Sequence, residues 1–511
     1  MIHLQGFLPL FVTIGWCSGD SSPPNILFIL ADDLGWNDVP WNNPDVIAPT
    51  LARLAGEGLI LENNYVQPTC TPSRAALMTG YYPMHTGNQY VPIRSLQPAG
   101  VPIKFNFLSQ YLKDLGYSTH GVGKWHLGYC SPEYLPTQRG FDTFHGLWIG
   151  AGDHFLHTHM ADTPDPSSVG YDFHTNEDIY YEADGYDTSA LISERISEII
   201  RIEEVNKSSP LFIYAAFQDV HSPLEVQQEY EDLYPNEQDP KRRKYLGMVS
   251  RLDAAVERIV TDLEEVEYTR DGETRTLLED TIIIFSSDNG GMAEGVGYAG
   301  ASNKPLRGRK TDIFEGGCRV PGFIYNSGRT GVTDGLFHIT DWLPTIYAGL
   351  AGGNVEDLPE DINGVNQIEL LSRPSGVSQR VEMLYEIINF ENDHYLLTGD
   401  HTVDISGAFG AALRLSEWKI IIGCNTLIDC VSHTPNDTVL LFNLNEDPEE
   451  RNDLSKQPEY LDIIDDLKKR VAFHHAQAVE PFRPPFDYAG LPSNHLPPGV
   501  FHTGWCQART K

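Results

Sequence analysis

Residues 25–35 read NILFILADDLG, an apolar run that ends in two carboxylates and a glycine. An apolar run of this length, bounded by polar residues, predicts a buried β-strand over residues 25–31. Asp32, Asp33 and Gly35 predict a loop at the carboxyl end of that strand. The sequence therefore predicts a core strand that presents two carboxylates at one edge of a sheet.

Three later runs repeat this pattern of an apolar strand followed by polar residues. They cover residues 117–122, 211–217 and 281–287, and the last two are followed by QDVH (218–221) and DNGG (288–291). Helical stretches lie between the strands at residues 50–56, 107–115, 187–203 and 245–265. This alternation predicts an α/β fold with a mostly parallel sheet flanked by helices. Ligands bind at the carboxyl ends of such strands, where these polar residues would lie.

The pattern changes in the last quarter of the chain. Strand patterns at residues 411–422 and 439–445 precede a helical stretch at residues 459–478. We expect a smaller α+β domain there, with a short antiparallel sheet and one packed helix. The predicted division is a signal peptide at residues 1–22, a large catalytic domain at 23–390 and a smaller C-terminal domain at 391–511.

The N-terminus carries an apolar segment, residues 4–14, followed by small and polar residues at 18–22. This order is typical of a signal peptide, so we expect the chain to enter the secretory pathway and to be lysosomal or secreted. No later apolar run approaches the roughly 20 residues that span a bilayer, so no membrane span is expected.

The cysteines and glycosylation sequons are consistent with that route. Cys424 and Cys430 are close enough in sequence for a short disulfide. The pairing of three others, Cys130, Cys318 and Cys506, stays open, and one thiol among them should stay free. N-glycosylation acceptors begin at Asn206 and Asn436.

The charge balance excludes two classes of partner. The chain has 36 Lys and Arg against 71 Asp and Glu, a net charge of -35. Nucleic acids and anionic membranes would be repelled, so we expect neither as a partner. An anionic substrate would be repelled as well, so a local cluster of cations must hold it.

The segment Cys70-Thr71-Pro72-Ser73-Arg74 precedes AALMTG at residues 75–80. Thr71 is a suitable N-cap for a helix that starts at Pro72, which would set Cys70 beside the positive end of the helix. An anion would be held there. A buried structural cysteine, a disulfide and an unmodified thiolate nucleophile remain alternatives.

Two acidic loops point to a metal. Asp32 and Asp33 follow one apolar strand, and Asp288 and Asn289 follow another. Calcium takes about six to eight oxygen ligands, largely from carboxylates and amides. Either pair alone is more typical of a turn, but the two together favour a calcium site.

Three further motifs place cations and imidazoles after predicted strands or in loops. GKWHLG (123–128) carries Lys124 and His126, QDVHSPL (218–224) carries His221, and PLRGRK (305–310) carries Lys310. Together with the C-x-P-S-R pattern at residues 70–74, they occur in the order found in sulfatases. Over residues 24–478 the chain resembles the sulfatase family, and within it the arylsulfatase B group. The resemblance implies an alkaline-phosphatase-like sheet in the large domain.

The resemblance also implies the chemistry of a sulfuric ester hydrolase. Cys70 would be oxidised to formylglycine by the formylglycine-generating enzyme, and its hydrated aldehyde would attack a sulfate ester. The implied ligands of one Ca²⁺ ion are Asp32, Asp33, Cys70, Asp288 and Asn289. The implied catalytic residues are Cys70, Arg74, Lys124, His126, His221 and Lys310. Among them the three cations would hold the sulfate, His221 would be the general acid, and His126 would take a proton from residue 70 to release sulfate.

Other interpretations stay open. A phosphatase or phosphodiesterase of the same superfamily would use a Ser or Thr nucleophile, and a non-catalytic binding protein would lack catalytic groups. The substrate class is a sulfated sugar, a glycosaminoglycan, or an aryl or glucoside sulfate, and the acidity of the chain favours small esters over long polyanions. His154, His157 and His159 form an H-x-x-H-x-H pattern that is a candidate second metal site.

Overall fold

The computed structural model describes residues 23–161, 168–206, 209–270, 273–295, 297–389, 395–398, 401–404, 409–426, 438–482, 484–490 and 499–509. The predicted signal peptide lies outside these residues, as do parts of both predicted glycosylation sequons. In the described part of the chain, none of the helices combines the length and the apolar composition needed to cross a bilayer.

The strands and helices of the described residues follow the chain in this order. The strands are β1 Asn25–Ala31, β2 Leu59–Leu61, β3 Asn64–Tyr65, β4 Ser118–Gly123, β5 Thr143–Gly146, β6 Thr158–Met160, β7 Val169–Tyr171, β8 His174–Thr175, β9 Asp178–Ile179, β10 Leu211–Ala216, β11 Glu267–Arg270, β12 Glu273–Thr276, β13 Thr281–Ser287, β14 Phe323–Tyr325, β15 Gly331–Thr333, β16 Phe337–His338, β17 Glu382–Asn389, β18 Tyr395–Thr398, β19 His401–Asp404, β20 Phe409–Leu415, β21 Trp418–Gly423, β22 Val439–Asn443 and β23 Gly499–Val500. The α-helices are α1 Pro49–Glu57, α2 Cys70–Thr79, α3 Pro83–Thr86, α4 Leu108–Asp114, α5 Thr188–Asn206, α6 Gln228–Glu231, α7 Pro240–Glu265, α8 Glu315–Cys318, α9 Trp342–Pro344, α10 Ile368–Ser372 and α11 Leu461–His475. Short 3-10 helices lie at Pro132–Tyr134, Pro136–Arg139, Tyr181–Ala183, Leu278–Asp280, Ile339–Asp341, Val355–Asp357, Pro458–Tyr460 and Tyr488–Gly490, and a π-helix lies at Thr345–Leu350.

The large sheet has ten strands in the order β15-β2-β14-β13-β1-β10-β4-β5-β8-β9. Its five central strands, β13, β1, β10, β4 and β5, run parallel to their neighbours within that group. The pairs β13–β14 and β5–β8 are antiparallel and mark the two sides of the parallel core. The predicted α/β fold with a mostly parallel sheet is confirmed, and the strand predicted at residues 25–31 coincides with β1.

Helices cover both faces of this sheet. Successive residues of a strand point to opposite faces, and those of β1 enter two different apolar clusters. Phe28 and Leu30 pack in a cluster that includes side chains of α2 and α4. Leu27 and Ile29 pack in a second cluster with side chains of α1, α5 and α7. Because both faces are covered, β1 is buried along nearly all its length, as parallel strands usually are.

A smaller antiparallel sheet follows, with the strand order β17-β20-β21-β22. Helix α11 covers one face of it through Ile464, Leu467 and Val471. The opposite face packs against the large domain, where Tyr385 of β17 meets Tyr65. The predicted C-terminal antiparallel sheet with one helix is confirmed. Its first strand begins at Glu382, and the division of the chain at residue 390 stays a prediction.

The cysteines follow the expected pattern where the structure describes them. Cys130 and Cys506 form a disulfide, and Cys318 keeps a buried free thiol. The prediction of one free thiol among those three is therefore confirmed. Cys424 is disulfide-bonded, and its expected partner, Cys430, lies outside the described residues.

Candidate active site

The predicted site residues are brought together by adjacent strands of the large sheet. The residues after β13, β1, β10 and β4 are, in that order, Asp288 and Asn289, Asp32 and Asp33, His221, and Lys124 and His126. Because these four strands are parallel neighbours, their carboxyl ends meet at one edge of the sheet. Two site residues, Asp33 and His126, have the positive φ angles of 62° and 59° that are uncommon outside glycine. Such strained conformations cluster at functional sites.

Helix α2 brings Cys70 to this edge, but it begins earlier than the sequence predicted. The helix starts at Cys70, after Thr69, rather than at Pro72 after a Thr71 cap. The Thr71 hydroxyl instead donates to the main-chain oxygen of His126 at 3.1 Å and accepts from Ile93 N at 3.1 Å. The predicted cap is therefore wrong, because tertiary contacts use the hydroxyl that would have made it.

Cys70 and the acidic pair form a compact cluster. The Sγ atom of Cys70 lies 3.7 Å from Asp32 Oδ1. One ligand atom from each of Asp32, Asp33, Cys70 and His221 lies within 4.8 Å of all the others. Within the described residues, this is the one group of histidine, cysteine and carboxylate side chains close enough to hold a metal ion.

Each carboxylate of the site is paired with a cation. The pairs are Lys310 Nζ with Asp33 Oδ1 at 2.6 Å, Lys124 Nζ with Asp32 Oδ2, and Arg74 Nη2 with Asp288 Oδ2 at 2.8 Å. Three carboxylates against three cations leave no net charge on this set. An anionic ester would gain no net attraction from it, and a bound divalent cation would supply the missing positive charge.

The local charges also set the protonation states. Burial is the largest influence and would raise the pKa of Asp32 and Asp33, but the lysine paired with each acts together with His221 to outweigh it, and both pKa values lie below the usual one. Both groups are therefore carboxylates near neutral pH. Burial and the charge of Asp288 raise the pKa of Cys70 to about 12. An unmodified Cys70 would be a thiol at neutral pH, which argues against a thiolate nucleophile.

The amide of Asn289 provides a test of whether the site fits a metal. Its nitrogen donates to Asp33 Oδ1 at 2.6 Å and to Gly290 O at 3.0 Å. Its oxygen, Oδ1, is buried and has no hydrogen-bond partner. A buried oxygen without a partner is costly, and an amide oxygen beside carboxylates is the ligand type that calcium prefers. The residues present therefore fit a calcium ion.

His126 is neutral and has a defined tautomer. Its Nε2 lies 2.9 Å from the main-chain oxygen of Ile93. A carbonyl oxygen only accepts, so Nε2 carries the hydrogen and Nδ1 keeps its lone pair. Nδ1 is buried and has no hydrogen-bond partner. Burial and the charge of Lys124 hold the pKa of His126 well below its usual value, so Nδ1 is available as a proton acceptor.

His221 lies next to Asp33 of the acidic pair. Its Nε2 lies 3.8 Å from Asp33 Oδ2, and its Nδ1 lies 2.6 Å from the main-chain oxygen of Ser222. Burial and Lys310 lower the pKa of His221, while Asp33 acts in the opposite direction. Nδ1 donates to that carbonyl, so Nε2 is the nitrogen that can exchange a proton with a bound molecule.

A cavity of about 580 Å³ opens onto these groups. Five of the predicted site residues line it: Asp33, Cys70, His126, His221 and Lys310. Arg74 and Lys124 are fully buried and lie below the cavity rather than on its wall. The guanidinium of Arg74 also donates to the main-chain oxygen of Lys124 at 3.0 Å and to the hydroxyl of Tyr214 at 3.3 Å. Tyr214 was not among the predicted site residues; its signal in the sequence is a tyrosine within the apolar run of β10.

The histidine pattern at residues 154–159 does not form a metal site of its own in the described structure. Nε2 of His157 lies 2.9 Å from the oxygen of Ala183, and Nδ1 of His159 lies 2.7 Å from that of Ala151. His154 is buried and also bonds to protein groups. Each ring is therefore used by a hydrogen bond within the fold.

Comparisons with known proteins agree with this arrangement. A family model described as Sulfatase matches residues 24–352. Arylsulfatase J of Mus musculus is 36% identical over 495 residues, which cover 91% of this chain and 78% of that protein. N-acetylgalactosamine-6-sulfatase of Homo sapiens is 28% identical over 516 residues, covering 96% and 92%. The solved structure of Ps i-CgsB in complex with k-i-k-neocarrahexaose matches with a TM-score of 0.73 and 28% identity, covering 91% of this chain and 95% of that one.

Proposed function

This chain belongs to the sulfatase family, and from that premise we propose that it hydrolyses sulfate esters with a formylglycine made from Cys70 and one calcium ion. The observation that carries the proposal is the convergence of Cys70, Asp33 and two histidines on one cavity, with Asp32 in the same cluster as Cys70. Each of these groups was predicted from a separate motif.

The proposed calcium ligands are the residues that surround Cys70. They are Asp32, Asp33, Asp288, Asn289 and the modified residue 70. The free oxygen of Asn289 and the balanced charge of the set support this assignment. When bound, calcium would act as a Lewis acid toward a sulfate oxygen and toward the nucleophile.

The proposed nucleophile is the hydrated aldehyde of residue 70. It carries two hydroxyl groups on one carbon, which a thiol or a serine cannot provide. The raised pKa of the unmodified Cys70 thiol supports this choice over a thiolate. The formylglycine-generating enzyme is the proposed partner during maturation.

Lys310 is the cation we place against the substrate. Its side chain lines the cavity and is 11% exposed. Burial alone would lower the pKa of Lys310, but Asp33 raises it, so the ammonium stays charged. A fixed positive charge that faces the sulfate oxygens stabilises the negative charge that develops on the departing group. Arg74 and Lys124 support the site from below by holding the carboxylates.

The two histidines take the proton transfers. His126 accepts at Nδ1, because its Nε2 is committed to Ile93 O. After one hydroxyl of residue 70 has taken the sulfuryl group, we assign His126 the proton of the second hydroxyl, whose loss re-forms the aldehyde C=O and breaks the bond from carbon to the sulfate oxygen. His221 acts in its imidazolium form, which Asp33 and Asp32 favour: it gives the Nε2 proton to the leaving oxygen of the ester and keeps the Nδ1 proton on Ser222 O. Each histidine thus has one nitrogen for orientation and one for catalysis.

The substrate is a sulfated sugar or a small aryl or glycoside sulfate in this proposal. A cavity of about 580 Å³ is within the size range of small-molecule sites. The net charge of -35 disfavours long polyanions. The name of one matched protein refers to the sugar N-acetylgalactosamine, and another matched protein was solved in complex with k-i-k-neocarrahexaose.

The proposed location is the secretory pathway, with a lysosomal or extracellular destination. The disulfide between Cys130 and Cys506 supports it, since disulfides persist mainly in oxidising compartments. The predicted signal peptide would direct the chain there.

The test is release of sulfate from a panel of esters by the purified enzyme. The panel contains 4-nitrocatechol sulfate, monosaccharide sulfates, polymeric dermatan sulfate and 4-nitrophenyl phosphate. We expect sulfate release from the small esters, loss of activity with a calcium chelator and recovery with added calcium. Faster hydrolysis of the phosphate ester than of any sulfate would contradict the proposal. Faster hydrolysis of dermatan sulfate than of the small esters would overturn the substrate class.

A further inference from the structure

The histidine-rich loop at residues 154–159 contacts the site through one member. His154 is fully buried, and its Nε2 lies 3.0 Å from the main-chain oxygen of His221. The other two histidines bond to carbonyl groups of Ala151, Ala183 and Tyr186 instead. His154 is therefore the histidine of this pattern with a direct bond to a residue of the proposed mechanism.

Arg251 fixes the tautomer of His154. Nη2 of Arg251 lies 3.1 Å from Nδ1 of His154. A guanidinium only donates, so Nδ1 accepts and Nε2 carries the hydrogen. Burial and the charge of Arg251 lower the pKa of His154 to about 4, so the ring is neutral. His154 therefore donates its one N–H to the carbonyl of His221.

Two buried carboxylates hold Arg251 in place. Nε of Arg251 lies 2.9 Å from Asp219 Oδ2, and Nη2 contacts the other oxygen of the same carboxylate. Nη1 lies 2.6 Å from Asp187 Oδ2. The hydroxyl of Ser189 donates to Asp219 Oδ2 at 2.7 Å. A bidentate guanidinium–carboxylate pair in a buried site has a fixed geometry. Arg251 therefore holds the imidazole of His154 in one orientation.

On its other side, the loop that carries His221 is held by the main chain of Asp32, the residue that follows β1. Val220 N donates to Asp32 O at 2.7 Å, and Asp32 N donates to Asp219 O at 2.9 Å. The short segment 219–221 is thus fixed between the main chain of Asp32 and the imidazole of His154. Removing the hydrogen bond from His154 would release segment 219–221 on the side that faces His154.

We infer that His154, oriented by Arg251 and Asp219, is a positioning residue that sets the direction from which His221 meets the leaving oxygen. This inference rests on the proposed function, in which His221 is the general acid. His154 holds the main chain of His221, and the ring direction follows from it. A shift of about 1 Å in a catalytic group is enough to cost on the order of 100-fold in rate.

The experiment compares leaving groups. His154→Phe keeps a ring of similar size but loses the donor. We expect kcat for a monosaccharide sulfate, whose alkoxide leaving group needs a proton, to fall about 10- to 100-fold. For 4-nitrophenyl sulfate, which leaves without a proton, kcat should fall less than about 3-fold. The KM values should change little, because His154 does not line the cavity.

Two variants and one matched control complete the design. His154→Gln restores an N–H at the reach of Nε2 and should recover most of the lost rate. Ser189→Ala removes only the hydrogen bond from Ser189 to Asp219. It should reduce kcat for the monosaccharide sulfate more than for 4-nitrophenyl sulfate, by a smaller factor than His154→Phe. This variant tests the inference even if His154→Phe does not fold. His157→Phe removes a histidine that is also buried in the same loop but bonds to the main-chain oxygens of Ala183 and Tyr186 rather than to His221, and it should affect both esters equally.

The outcomes separate this inference from the proposed function. A loss in His154→Phe and Ser189→Ala that is equal for both esters, or that matches His157→Phe, overturns the positioning role while leaving sulfatase activity in place. A wild-type enzyme that releases no sulfate from either ester refutes the proposed function instead. A leaving-group-dependent loss with recovery in His154→Gln supports both.

Discussion

Lys310→Met separates transition-state stabilisation from ion pairing. Nζ of Lys310 lies 2.6 Å from Asp33 Oδ1, and its side chain reaches the cavity. In the proposed mechanism this ammonium faces the sulfate ester, whose leaving oxygen gains negative charge as the ester bond breaks. Methionine keeps most of the side-chain volume and removes only the charge.

The expected loss is a factor of about 10² to 10³ in kcat, equivalent to roughly 2.7–4 kcal/mol, which is typical of removing one preorganised group from such a site. Coulomb's law gives a similar scale, since two unit charges about 4 Å apart interact by about 4 kcal/mol at an effective dielectric of about 20. Stability should fall less than on breaking a fully buried pair, because the Lys310 side chain is 11% exposed at the cavity and Asp33 keeps the amide of Asn289 at 2.6 Å.

Lys419→Met is the matched control. Lys419 is fully buried, and its Nζ lies 3.0 Å from Glu315 Oε1 and 2.8 Å from Glu450 Oε1, away from the cavity. Breaking a buried ion pair from one side costs about 3–5 kcal/mol of stability. Lys419→Met should therefore lower the unfolding temperature while its folded fraction keeps the kcat of the wild type.

The assay combines steady-state hydrolysis of 4-nitrocatechol sulfate with thermal unfolding of both variants. The two variants should lose different properties: Lys310→Met should lose catalytic rate, and Lys419→Met should lose stability. If Lys310→Met keeps more than about a tenth of the wild-type kcat, the cation does not act on the transition state and the reasoning is refuted.

Two further variants test the metal site and the core. Asn289→Leu removes the free amide oxygen and should weaken calcium binding by about 10- to 100-fold, measured by calorimetry; unchanged affinity would exclude Asn289 as a ligand. Asp253 accepts bonds from Thr50 N and Leu51 N, and burial raises its pKa from 3.8 to about 6, so the folded state binds this proton more tightly than the unfolded one. Its stabilising effect is present below about pH 4 and is lost as pH rises through about 6, a change of roughly 3 kcal/mol. Asp253→Asn should flatten that part of the stability profile in unfolding measured from pH 4 to 7, and a parallel profile would contradict the assignment.

The central strands were predictable because their signal is local. β1 coincides with its apolar run, since burial on both faces requires apolar side chains at every position and the carboxylates end the run abruptly. For the same reason, the polar residues that follow four of the strands could be predicted to lie at one edge of the sheet. The convergence of Asp33 and His221, which lie in different motifs, follows from parallel topology alone.

The features that were predicted wrongly or missed depend on contacts between residues that are distant in the sequence. The start of α2 could not be read from the sequence, because the Thr71 hydroxyl bonds to His126 and Ile93 rather than to its own helix. The strand β17 was missed, because Glu386 interrupts its apolar run at the point where its pairing with β20 shifts register. The role of Arg251 was missed as well, although a charged residue within the apolar stretch of a predicted helix is a signal of a buried ion pair.

Mass spectrometry of the peptide that contains Cys70 tests whether the nucleophile is an aldehyde made from that cysteine. The enzyme is produced with and without a co-expressed formylglycine-generating enzyme, and the fraction of aldehyde at residue 70 is compared with the specific activity of each preparation. Sulfate release should rise in proportion to the aldehyde fraction. Full activity in a preparation whose Cys70 is still a thiol would contradict it.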